Sequence, residues 1–206
     1  EACLRHDAIR AHLGEFGIVA PKGVHKVGSL LEAAERAKLP AAARVPLRLL
    51  ADQFFETRDR IDALTKDIRR EAEASDAAKR LRTIPGIGPI TATALAATLP
   101  DVTGFRTSRD LSAWLGLTPK PHSSGGKEKL GRISKMGNRY LRRLLYLGAM
   151  GVITARRRGQ PGDDWLWRLL QRKTAKQAAI ALANRMARTV WALLRNGTSY
   201  DAVRAA

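Results

Sequence analysis

Ser123-Ser124-Gly125-Gly126-Lys127 is the run whose residue types and spacing best suit covalent chemistry. A serine hydroxyl is a weak nucleophile at its free pKa. It needs a base to take its proton, or cations to neutralise the charge that builds on the group it attacks. Lys127, Lys129, Arg132 and Lys135 follow closely and would supply such cations to a phosphoryl oxyanion. Gly125 and Gly126 let a substrate approach the backbone. His122 is the nearest candidate base, although neighbours so close in a flexible loop seldom hold the geometry of proton transfer. On residue types alone, such a loop is more often a solvated surface turn than a nucleophilic site.

The charge around this run narrows the class of partner. The chain has 206 residues, 37 Lys and Arg against 19 Asp and Glu, and a formal net charge of +18. Residues 120–196 hold 18 of the bases and 3 of the acids, a local balance of +15. Folding does not need that excess, which costs self-repulsion and suits a polyanion. The competing reading is a set of solvated helix faces, and the asymmetry disfavours it.

Other classes fall away. A single cysteine, Cys3, excludes a disulfide framework within the chain and reads as buried or idle. The four histidines are too scattered to build a zinc module with it. The longest uncharged run, Thr83 to Pro100, holds Gly86, Gly88 and three prolines and makes a poor membrane span. No secretory leader is expected. A start at Glu1 instead of Met is expected of a piece of a longer protein.

The elements that must position these residues read as almost all helix. A short amphipathic stretch from Cys3 to Leu13 ends near Gly14, and a linker runs from Gly17 to Gly28. Ser29 with Glu32 reads as a capping box opening a helix that Pro40 closes. Leu47, Phe54, Ile61 and Ile68 then recur at sevens, with Leu50, Thr57 and Leu64 three residues after the first three. This a/d seam, on a helix expected without interruption from Leu47 to Ala78, favours a dimerising coiled-coil arm over one helix packed on its own domain. Ile84-Pro85-Gly86-Ile87-Gly88-Pro89-Ile90 is a tight turn between two helices. Its backbone N–H groups at Gly86 and Gly88 either approach a phosphate or serve a purely structural corner.

Residues 107–117 read as a short helix with Leu111, Trp114 and Leu115 on its core face, ended by Gly116. The helix after the serine loop puts Leu141, Leu144, Leu145 and Val152 inward and Arg139, Arg142 and Arg143 outward as phosphate contacts. Arg156-Arg157-Arg158 ends it. Thr174 with Gln177 is a second capping box. It opens a helix with the stripe Ala179, Leu182, Ala183, Met186, Val190 and Leu194, closed at Asn196-Gly197. The expected fold is mainly α, with a helical linker and coiled-coil-like arm over 1–80 and a basic helical domain over 81–206.

The stretch from Ile84 to Arg143, and above all SSGGK followed by LGRISKMGNRYLRRLL, resembles the C-terminal domain of the insertion-sequence family one-hundred-and-ten transposases. These are DEDD/serine DNA recombinases related to the Piv/MooV invertases. RAHLGEFGIVAPKG resembles the segment leading into that family's helical arm, so the likeness spans nearly the whole chain. The resemblance implies a helical transposase domain with a helix-hairpin-helix-like element, acting on DNA in transposition. By motif position it implies Ser124 as the nucleophile, with Ser123 as the fallback. It also implies a homodimer or higher oligomer joined through the coiled coil, in several members a structured guide RNA, and a place in the bacterial cytoplasm at the nucleoid.

The family's RuvC-like domain, whose DEDD carboxylates hold Mg²⁺, has no counterpart in these residues. Asp52, Asp59 and Asp62 lie on the heptad helix. Asp163-Asp164 reads as a helix N-terminus, and Asp101 and Asp110 lie near turns. No metal site or cofactor is expected within the chain, and Mg²⁺ is expected only with that other domain. The alternatives are a non-catalytic nucleic-acid-binding remnant and a dimeric helical scaffold with an incidental basic surface.

Overall fold

The computed structural model describes residues 2–19, 21, 23–121, 130–159 and 164–200. Among them are nine α-helices and one two-stranded sheet, so the fold is mainly α. The chain divides into two compact units, Glu1–Asp67 and Ile68–Ala206.

The first unit holds α1 (Ala2–Gly14), a 3₁₀ turn (Val24–Lys26), α2 (Val27–Arg36) and most of α3 (Ala41–Ala74). Ile9 and Leu13 of α1, Val27 and Leu30 of α2, and Leu47 and Phe54 of α3 close its core. The expected capping box at Ser29 and Glu32 does not form. The 3₁₀ turn runs straight into α2, which therefore starts at Val27. Ser29 lies inside the first turn and its hydroxyl donates to Lys26 O at 2.9 Å. Glu32 pairs instead with Arg36 at 3.6 Å. Pro40 opens the next helix as well as following the last one, because its carbonyl accepts from Ala43 N and Arg44 N.

Helix α3 starts six residues before Leu47 and tolerates Pro46 in its second turn. It stops at Ala74, short of the expected run to Ala78. The Ser75 side chain caps a new helix, α4 (Asp76–Arg82), by accepting from Ala78 N at 3.3 Å. The heptad seam divides along this helix. Leu47 and Phe54 are covered by the unit's own α1 and α2, whereas Ile61 and Leu64 remain 48 % and 61 % exposed.

The second unit contains α4, α5 (Pro89–Thr98), α6 (Ser108–Trp114), β1 (Pro119–Pro121), β2 (Leu130–Ile133), α7 (Arg139–Arg158), α8 (Trp165–Arg172) and α9 (Ala175–Asn196). Helix α9 is central and packs against α4, α6, α7 and α8. Its buried face is rich in alanine (Ala178, Ala179, Ala183, Ala187), which lets several helices approach one axis. The Thr174–Gln177 capping box forms, with both hydrogen bonds made, and Gly197 closes the helix in the left-handed conformation.

Helix α7 buries Leu141, Leu145, Ala149 and Ile153, one residue per turn, while Leu144 and Val152 sit at the margin of that stripe. Strands β1 and β2 were not expected in a chain read as almost all helix. They are antiparallel, pair Pro119 with Ile133 and Pro121 with Leu130, and carry an irregularity between. Trp114 departs from its expected core position. It is 40 % exposed and meets Phe105 edge to face at 5.7 Å, while Leu111 and Leu115 take the core places beside it.

Candidate nucleic-acid interface

The end of α6, the base of the β1–β2 hairpin and the start of α7 are tied together by backbone hydrogen bonds. Ser134 N donates to Thr118 O at 2.9 Å and Lys135 N to Gly116 O at 3.1 Å. Asn184 of α9 donates its side-chain amide to Leu117 O at 3.2 Å, fixing the same segment from below. Gly137, at φ +78°, lies so close to α6 that a Cβ there would stand 1.8 Å from Trp114 O. Only a residue without a side chain fits that approach. Asn138 then caps α7, its side-chain oxygen accepting from Tyr140 N at 3.0 Å and Leu141 N at 3.1 Å. The Lys135-Met136-Gly137-Asn138 block is thus a joint that sets the hairpin against α7.

Arg142 departs from the outward role expected of it. Its guanidinium donates to Leu115 O and to Met136 O, both at 2.9 Å, and the side chain is half-buried. It braces the joint. Arg132, Lys135, Arg139 and Arg143 are exposed around the joint, and Lys120 is exposed on β1. From Thr118 to Arg158 the described residues include no Asp or Glu. Cations at a helix N-terminus oppose the helix dipole and cost stability. Arg139 and Arg143 in the opening turns of α7 therefore concentrate positive potential where folding alone would not place it.

Ser123 and Ser124, with His122, Lys127 and Lys129, lie outside the described residues. They belong to the connection whose two ends β1 and β2 deliver at Pro121 and Leu130.

The turn between α4 and α5 is built as expected, with Ile84 and Ile87 buried. Its two glycines differ. Gly86, at φ +87°, faces Gly148 of α7 so closely that a Cβ on it would lie 2.7 Å from Gly148 O. Gly88 is extended, precedes α5 as its N-cap, and has open space where a side chain would be. The turn thus rests on the middle of α7, and Gly88 is the member with room in front of it.

The carboxylates of the described residues do not fit a metal site: no three Asp, Glu, His or Cys side chains gather among them. Asp110 completes the capping box of α6 with Thr107. Asp164 caps α8 and pairs with Arg156. Asp101 accepts from the Thr103 hydroxyl and N–H, which hold its pKa below the ordinary value. Each is committed to local structure.

Tyr140 is 56 % exposed beside Arg139 at the opening of α7. Its signal is phase: Tyr140 falls off the Leu141–Leu145–Ala149–Ile153 stripe of α7 and so points away from the core.

Residues 78–162 match the family described as Transposase IS116/IS110/IS902 family. A Pseudomonas aeruginosa protein named "Probable family 20 transposase" is 43 % identical over 197 residues, covering 93 % of this chain and 58 % of that protein. The "Transposase for insertion sequence element IS1328" of Yersinia enterocolitica is 36 % identical over 195 residues, covering 94 % of this chain and 58 % of its own length. The "Pilin gene-inverting protein" of Moraxella bovis is 31 % identical over 131 residues, covering 63 % of this chain and 40 % of its own. The chain spans about half the length of the curated relatives it matches. The hairpin, its joint and the basic opening of α7 all fall within residues 78–162, and the chain carries the transposase domain of the IS116/IS110/IS902 family.

Proposed function

We propose that the second unit is the DNA-handling module of a transposase or site-specific recombinase, and that it holds target phosphates at the hairpin base. The observation that carries this reading is the cluster of Lys120, Arg132, Lys135, Arg139 and Arg143, with no described acid from Thr118 to Arg158, on a joint braced by Arg142. Lys127 and Lys129, offset in part by Glu128, add a net single positive charge from the connecting segment, and Gly88 offers a further backbone approach at the start of α5. A guide RNA, where one is used, meets the same basic chemistry.

Salt dependence tests this directly. Each neutralised phosphate of duplex DNA contributes a slope of about −0.9 in log K against log salt. Replacing Arg139 and Arg143 together with alanine is expected to flatten the slope by about 2 units. Arg142→Ala is expected to act differently. It strips the donor from two backbone carbonyls and lowers folding stability by about 1–3 kcal/mol. An unchanged slope in the double variant would place the DNA on another face.

The reaction assigned to the module is strand attack by Ser124, or by Ser123 in its stead. The hydroxyl gives up its proton, an Oγ–P bond forms, and the bridging P–O bond of the strand breaks, its leaving oxygen taking up a proton to become a free strand-end hydroxyl. Lys127 and Arg132 offset the charge that gathers on the phosphoryl oxygens. The family's Mg²⁺ domain is the proposed source of the rest of the machinery, since the described carboxylates of this chain do not fit that task.

The first unit is assigned to dimerisation. Ile61 and Leu64 stay exposed on α3 after the unit's own core has taken Leu47 and Phe54. Pairing two such stripes would cover them. Ile61→Glu puts a carboxylate into that seam at a cost of several kcal/mol if unpaired, by order of magnitude. Sedimentation at micromolar concentration should show a dimer for the wild-type chain and a monomer for the variant. A monomeric wild type, or a variant that still dimerises, would remove this role from the arm.

A further inference from the structure

A second feature of the basic unit lies away from the hairpin joint. After Gly197 the chain turns back, and Tyr200 N donates to the Thr83 hydroxyl at 2.8 Å. That tie makes residues 198–200 one wall of a cleft of about 740 Å³, a volume in the range of small-molecule sites. The face of α9 bearing Arg185 and Arg188 forms the floor, and Trp165 at the start of α8 forms another wall. Among the described residues, no Asp or Glu lines the cleft.

Trp165 is the informative residue. It is 37 % exposed, and the Arg185 guanidinium stands 5.2 Å from its ring centre. The guanidinium lies over the indole, so the two form a short stack at the edge of the cleft that a base could extend. Arg188 is exposed nearby with no carboxylate among the lining residues. Ser108 and Asn196 add hydrogen-bonding groups of both kinds. A stacking surface, an exposed cation and neutral polar groups at one site match a nucleotide: the base on the stack, its edge on the polar groups, its phosphate on the arginine. A duplex keeps its bases stacked on one another, so the fitting ligand is unpaired.

We infer that this cleft takes an unpaired nucleotide of a single-stranded DNA or RNA segment, its base extending the Trp165–Arg185 stack and its phosphate at Arg188. The inference deepens the DNA-handling reading by adding a site for a displaced or guiding strand.

The test uses the full chain with ten-nucleotide oligo-dT and oligo-U and with a mixed-sequence duplex. Tryptophan emission and binding anisotropy are both followed. Stacking should quench tryptophan emission with the single strands, and Trp165→Phe should remove the Trp165 share of that quenching while keeping affinity within about threefold, since a phenyl ring still stacks. Trp165→Ala should weaken single-strand binding by about 5- to 20-fold, the effect of one lost base–aromatic stack, and leave duplex affinity within about twofold. Arg188→Ala should weaken it too and reduce its salt dependence. The relative quenching by oligo-dT and oligo-U names the strand. A quenching amplitude that Trp165→Phe leaves unchanged, or the absence of quenching by any single strand, overturns the inference. The joint variant Arg139→Ala/Arg143→Ala separates the two readings. Lost duplex binding with quenching intact supports both sites, and duplex binding without Trp165 quenching sinks this one alone.

Discussion

Gly137→Ala is expected to destabilise the second unit by about 3–5 kcal/mol, from overpacking together with a left-handed backbone that alanine resists. The added carbon would lie 1.8 Å from Trp114 O, a backbone atom that no rotamer change can move aside. For a unit of this size the loss corresponds to a fall in Tm of roughly 10–15 °C. The damage falls on the joint between α6, the hairpin and α7, so DNA binding should fall with it. Gly151→Ala is the control. Gly151 sits within the same α7, exposed, with nothing inside 4 Å of the built Cβ, and alanine there should raise stability by about 0.5–1 kcal/mol. Thermal unfolding of the two variants beside the wild type decides the matter. Equal stability of Gly137→Ala and the wild type would mean that the joint yields freely and does not set the hairpin.

This joint also shows where the sequence stops being informative. Periodicity made α7 and α9 legible, since Leu141, Leu145 and the Ala179–Ala183–Met186–Val190 stripe repeat at helical spacing. The Thr174–Gln177 box was legible because both partners lie within one turn. The role of Arg142 was not, because its acceptor Leu115 O is 27 residues away and no local pattern records such a bond. The hairpin escaped because its strands are three and four residues long, and two of the three in β1 are prolines. That is too short for alternation to register.

Ser29 misled for a related reason. A hydroxyl that accepts from a helix and one that donates to the preceding turn look alike in sequence, and the adjoining 3₁₀ turn decided between them. The heptads of α3 named the apolar residues but not their owner. The same spacing serves an intramolecular core at Leu47 and Phe54 and leaves an open stripe at Ile61 and Leu64. Trp165 and Arg185, twenty residues apart, meet only because α8 packs on α9.

The central claim is that the hairpin connection carries the serine that attacks DNA, and covalent trapping tests it most directly. The 206-residue chain is incubated with supercoiled and nicked DNA and Mg²⁺, alone and with a RuvC-like metal domain of the family fused ahead of Glu1, and protein–DNA adducts are resolved under denaturing conditions. The account predicts no adduct from the chain alone and an adduct from the fusion. Ser124→Ala should lower that adduct by more than about a hundredfold, as expected when a nucleophile is removed. Loss in Ser123→Ala with retention in Ser124→Ala would move the nucleophile by one residue. An adduct that survives both substitutions would contradict the account and leave this domain as a binder of DNA whose chemistry is done elsewhere.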